Sequence, residues 1–125
     1  MANTVTILAD HRGVSRPRVV GDEYVVDAQV ETTNYVVAGE VISAASLGLS
    51  RITCAVIAGY ESTQFIPRVN VDTDGTYTSS SSITILYQTH DASNVAGDGS
   101  GDVFITVPDT ATDLGMVRIR VWGLI

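Results

Sequence analysis

Side chains able to do covalent or metal chemistry are few in this chain of 125 residues, and their spacing does not bring them together. Its two histidines are His11 and His90, and its one cysteine is Cys54. His90-Asp91 places a carboxylate beside an imidazole, the pairing that orients a general base. Serines are plentiful, but no Gly-x-Ser-x-Gly elbow is present, so a hydrolytic triad would have to come from unrelated loops. The two histidines and the cysteine lack zinc-ligand spacing. Asp72-Thr73-Asp74-Gly75-Thr76 begins like a calcium loop but lacks the later acids and the closing Glu of an EF-hand. Asp-Gly between two strand patterns reads first as a hairpin turn. Asp98-Gly99-Ser100-Gly101-Asp102 has the same two readings. The expectation is a protein without enzymatic activity, cofactor or resident metal.

Charge points the same way. Fourteen acids oppose seven bases, and every base is Arg. Residues 1–20 hold Asp10, Arg12, Arg16 and Arg18, a net of +2, which leaves −9 on the remainder. An acidic body repels phosphates, so nucleic acid is not an expected partner. Arg makes fixed, bidentate contacts with carboxylates better than Lys does, so an all-Arg set has two readings, protein interfaces or compositional drift. No run approaches the length of a membrane span, and no signal-peptide pattern opens the chain. The single Cys54 forms no internal disulfide and lies in the apolar run Ile52-Thr53-Cys54-Ala55-Val56-Ile57, where a buried small hydrophobe is expected. Folding in a reducing cytoplasm is the corresponding expectation.

Strands must position whatever surface the protein uses. Val, Ile, Thr and Ser dominate, and long helix-forming runs are absent. Residues 1–22 read as an N-terminal arm, in which Thr4 to Leu8 could pair as a short strand and Pro17 favours extended backbone. From Glu23 to Val30, Tyr24, Val26, Ala28 and Val30 share one face, and Val25, Asp27 and Gln29 the other. Glu31 to Asn34 reads as a polar turn, and Gly39-Glu40 breaks the extended segment that resumes at Tyr35. Ser43 is placed to cap one helical turn ended by Gly48, with Leu47 and Leu49 plugging the edge of the core. Ile52 to Tyr60 is nearly continuous apolar sequence, the pattern of a central strand covered on both faces. Strands follow at Phe65–Val71, around Ile83–Tyr87 and at Val103–Val107, the last two separated by a glycine-rich loop, Asn94–Gly101. In the final strand Val117, Ile119 and Val121 point one way, and Arg118, Arg120 and Trp122 the other. Short strands separated by turn signals predict an all-β, single-domain β-sandwich over residues 23–125, jelly-roll-like, with the extended arm before it.

The segment from about residue 19 to 60 carries a more specific signal. A strand leads through Tyr35 to Gly39-Glu40, and a short turn ends in Leu47-Gly48-Leu49 before a new strand begins at once. This arrangement resembles a group of small tailed-bacteriophage virion proteins, and the final strand resembles theirs more loosely. The resemblance implies a strand-rich capsid decoration, or cement, protein that binds the major capsid protein on the outer surface of the phage head. It implies a structural role for Tyr35, Gly39, Glu40, Leu47, Gly48 and Leu49, and no active site. On this reading Arg12, Arg16 and Arg18 are the capsid-binding residues of the arm, and Arg118, Arg120 and Trp122 join copies of the protein. A homotrimer suits local three-fold positions on a shell, and a dimer at two-folds is the second choice. The alternative is a tail or fibre-associated module recognising a host surface glycan.

Overall fold

The computed structural model describes residues 2–62, 64–71, 80–90, 104–107 and 112–125. Their strands are β1 (Ala2–Ile7), β2 (Arg18–Val20), β3 (Glu23–Asn34), β4 (Glu40–Ser43), β5 (Arg51–Tyr60), β6 (Phe65–Val71), β7 (Ser82–His90), β8 (Phe104–Thr106) and β9 (Met116–Leu124). One five-stranded sheet runs β1-β3-β9-β5, with β2 also on β3; the other, of four strands, runs β4-β7-β6, with β8 also on β7. All the pairings are antiparallel. The two sheets pack together as an all-β sandwich. The chain crosses between them from β3 to β4, β4 to β5, β5 to β6 and β8 to β9. Here β6 takes one edge of β7, so β4 (against Ser82–Ile85) and β8 (against Gln88–His90) lie end to end on the other.

The core follows from the period-two pattern. Val26, Ala28 and Val30 of β3 stand opposite Val121, Ile119 and Val117 of β9, and all six are buried. Ile42 of β4 and Ile83, Ile85 and Tyr87 of β7 meet them from the second sheet. β-Branched side chains have restricted rotamers, so they pack a pleated surface at little entropic cost. Pro67 has no N–H to offer a neighbour, which suits its position on β6, an edge strand. Ile52 and Ser80 exchange both backbone hydrogen bonds at 2.7 Å, joining β5 to the approach to β7.

The motif residues are structural. Tyr35 is buried, and its hydroxyl accepts a hydrogen bond from the Tyr87 backbone N–H at 3.0 Å. Their rings meet edge-to-face at 5.2 Å. Gly39 has φ +97°, and a side chain there would strike Thr84 Cγ2 at 2.5 Å. The Glu40 side chain points into the core beside the two tyrosines, whose hydroxyl pKa values are raised chiefly by burial and next by the Glu40 charge. Ala45–Leu47 forms a 3-10 turn closed by Gly48 at φ +77°. Ala44, not Ser43, is its N-cap residue, while the Ser43 hydroxyl accepts from the Ser46 N–H at 3.3 Å. Leu47 and Leu49 are buried in the core. Leu49→Ala is therefore expected to lose about 2–5 kcal/mol, through lost transfer energy and the cavity left behind. Equilibrium urea unfolding measures this, and a loss below about 0.5 kcal/mol would place Leu49 outside the core.

Four further expectations change. Residues 1–22 do not extend from the domain as an arm: β1 and β2 share an edge of β3, and Val5 and Ile7 pack against the core. The polar residues Glu31 to Asn34 continue β3 rather than turning, because β1 supplies partners as far as Asn34. β5 is an edge strand rather than a central one, and only one of its faces is covered. Cys54 is accordingly exposed, not buried. A bulge between Ile52 and Cys54 sets it opposite Trp122 on the outer face. The readings of Asp72–Asp74, Asn94–Gly101 and Asp98–Asp102, and the pairing of His90 with Asp91, fall outside the described residues.

Candidate interaction surface

The outer face of the five-stranded sheet is centred on Asp27. Strand parity turns Asp27 away from the core, opposite Arg120 on β9. Arg120 grips it with a two-point fork, Nε to Oδ1 at 2.7 Å and Nη2 to Oδ2 at 3.0 Å. Arg18 Nη2 lies 3.3 Å from Oδ2, and Arg118 Nη2 4.0 Å from the same oxygen. Three guanidiniums thus surround one carboxylate that is only 7% exposed. The Arg120 hydrogen bonds hold the Asp27 pKa below its ordinary value against the opposing effect of burial, and the charges of Arg120, Arg118 and Arg18 add to this. Asp27 in turn raises the Arg120 pKa.

Asp10 organises the neighbouring loop. Its Oδ1 accepts the backbone N–H groups of Arg12 at 2.8 Å and Val14 at 3.0 Å, and Gly13 takes φ +82° to close the turn. Its Oδ2 pairs with Arg12 at 3.3 Å and with Arg18 at 3.8 Å. The Val14 hydrogen bond leads in lowering the Asp10 pKa to about 2, with Arg12 adding to it against desolvation. Pro17 then packs over Gly48, where a Cβ would approach its ring to 3.2 Å. The loop is held against the Leu-Gly-Leu turn of its own chain.

The six predicted interface residues are divided by these contacts. Arg12, Arg16 and Arg18 line one groove of about 450 Å³ with Val14, Pro17 and Val19. Arg12 and Arg18 are already paired to acids within the chain, and Arg16 is exposed. Arg118, Arg120 and Trp122 do share the outer face of β9, since Val117, Ile119 and Val121 are buried. Arg120 is committed to Asp27, whereas Arg118 makes the longest of the contacts and is half exposed. Trp122 is half-buried, with Val25 and Cys54 beside it in register.

The sequence pattern assigned Arg118, Arg120 and Trp122 to one face of β9 but did not identify the acids that collect Arg12, Arg18 and Arg120. One signal for Asp27 was present: it is the single charge between Tyr24 and Val30, in a strand that must form sheet core. Nothing local indicates that Arg18 and Arg120 converge on it, because they lie 9 and 93 residues away in sequence. Among the described residues no group of three or more His, Cys, Asp or Glu side chains could hold a metal ion. No described helix is long and apolar enough to cross a membrane. Comparison with protein-family models, curated proteins and solved structures finds no match for this chain.

Proposed function

We propose that this protein is a non-enzymatic structural component of a tailed-phage virion that decorates the assembled head and stabilises it. The observation that carries the reading is the use made of Tyr35, Gly39, Glu40, Leu47, Gly48 and Leu49. These residues bear the resemblance to virion proteins, and they build the core and its closing turn. Among the described residues, the outer face of β9 carries Arg118, Arg120 and the half-buried Trp122, residue types that anchor protein contacts. The mechanism is mass action. A decoration protein that binds the major capsid protein only in its mature lattice adds its binding free energy to that lattice. Many copies, associated as trimers at local three-folds or dimers at two-folds, together oppose the pressure of packaged DNA.

A second reading, a tail or fibre module for host glycans, is favoured by one observation. Tyr60 lines an open hollow of about 300 Å³ with Gln29, Glu61 and Arg118, an aromatic ring beside hydrogen-bonding groups. Antibody labelling of intact virions under the electron microscope separates the two. Label distributed over the head is the expected result. Label confined to the tail would replace the first reading with the second, and virions free of label would overturn both.

A further inference from the structure

The loop leading into β2 carries one cation that the fold leaves unused. Arg12 and Arg18 are paired to Asp10, and Arg18 also reaches Asp27. Arg16 is exposed and makes no ion pair among the described residues. Its backbone is nevertheless fixed. Pro17 follows it and biases it toward extended conformation, and the proline ring is seated over Gly48. Asp10 closes the other end of the loop through the N–H groups of Arg12 and Val14. Arg16 is thus an uncommitted charge on an ordered support, which lowers the entropic cost of binding.

The groove of about 450 Å³ gives that charge a setting. Arg12, Arg16 and Arg18 converge on it, and among the described residues no acid lines it. The acids behind it do not cancel it. Three guanidiniums against Asp10 leave +2, and counting Asp27 as well, which Arg118 and Arg120 share, leaves +1. Asp22 and Glu23 lie past Val20, in the turn and at its partner position on β3. Val14, Pro17 and Val19 supply apolar wall, and Val19 is 68% exposed. Among the described residues β2 pairs only with β3, so its other edge is open to an added strand. Such a groove fits an extended chain bearing carboxylates, its backbone along β2 and its acids on the guanidiniums. A nucleic acid fits poorly, because it would run on past the groove over a chain of net charge −7.

We propose that the Arg12–Arg16–Arg18 groove binds an extended acidic segment of a partner protein. Arg16 supplies the charge contact that the fold leaves unused, and Asp10 holds Arg12 and Arg18 in place beside it. The proposal deepens the decoration reading by naming the chemistry of the surface this protein meets, and it rests on that reading only for where the partner sits.

Fluorescence anisotropy on the full chain, with a fluorescein-labelled hexaglutamate peptide and no virion present, provides the test. The wild type should bind at low salt and release the peptide as salt is raised. Arg16→Glu should weaken binding by about fivefold or more, with an unchanged far-ultraviolet circular dichroism spectrum. Arg68→Glu is the control. It makes the same change in net charge at an exposed position on β6, in the other sheet, and should leave binding as it is. Should Arg16→Glu fail to fold, Arg16→Ala, which only removes the charge, serves in its place. No binding by the wild type, equal binding by the folded Arg16 variant, or an equal loss in Arg68→Glu would each overturn the proposal. So would displacement of the peptide by inorganic phosphate at constant ionic strength, or tighter capture of a single-stranded oligonucleotide. A bound peptide together with phage heads free of label would leave the groove standing and remove the decoration reading, so the two fail separately.

Discussion

Gly123→Ala is expected to unfold the protein or leave it without fixed tertiary packing. Gly123 lies within β9, opposite Tyr24 on one side and Ile52 on the other. An added Cβ would collide with the Arg51 carbonyl and come within 3.1 Å of Leu49 Cδ1. A backbone carbonyl cannot rotate aside as a side chain does, so relief requires β5 to move, with its ladder and the Leu49 plug. The loss should exceed about 4 kcal/mol, a large part of the stability of a small domain. Near-ultraviolet circular dichroism and urea unfolding would measure it. Gly59→Ala is the control, because nothing lies within 4 Å of its added carbon and its φ is not in the left-handed region. A Gly123→Ala protein melting with the wild type would show that the β5–β9 contact is looser than described.

Asp27→Asn is the second large effect. It removes the charge that three guanidiniums share. Breaking a fully buried pair typically costs about 3–5 kcal/mol; with Arg118 and Arg120 about half exposed, about 2–3 kcal/mol is expected. The loss should also depend on pH. The folded-state pKa of Asp27 lies below its ordinary value of 3.8, so its contribution is fully present above that value and disappears as pH falls through the folded pKa. Asp10, lowered to about 2, loses its contribution over the window from about 4 to 2. The stability gap between wild type and Asp27→Asn should therefore narrow below about pH 4. Melting curves from neutral pH to pH 2 would follow it. A gap of constant size across that range would show that the carboxylate charge is not what Asp27 contributes.

Both effects depend on contacts between segments distant in sequence, and the chain itself foreshadowed them unevenly. Alternation in Val117–Trp122 was enough to assign its faces, because a strand's side-chain period is local and one face must be buried. The Leu47-Gly48-Leu49 turn was legible for a similar reason: a glycine at φ +77° between two buried leucines is a local conformational requirement. The apolar run Ile52–Tyr60 correctly indicated a strand but not its place at the sheet edge, since hydrophobicity records what is covered and not by which chain. Arg12 and Arg18 looked free as sequence because ion pairs carry no periodic signature. Folding decided their partners: when β1 and β2 took one edge of β3, Asp10 and Asp27 came within reach, and a predicted arm became part of the sheet. Local sterics and burial thus determined the elements, while the pairing of edges across long sequence separations decided where the charges meet.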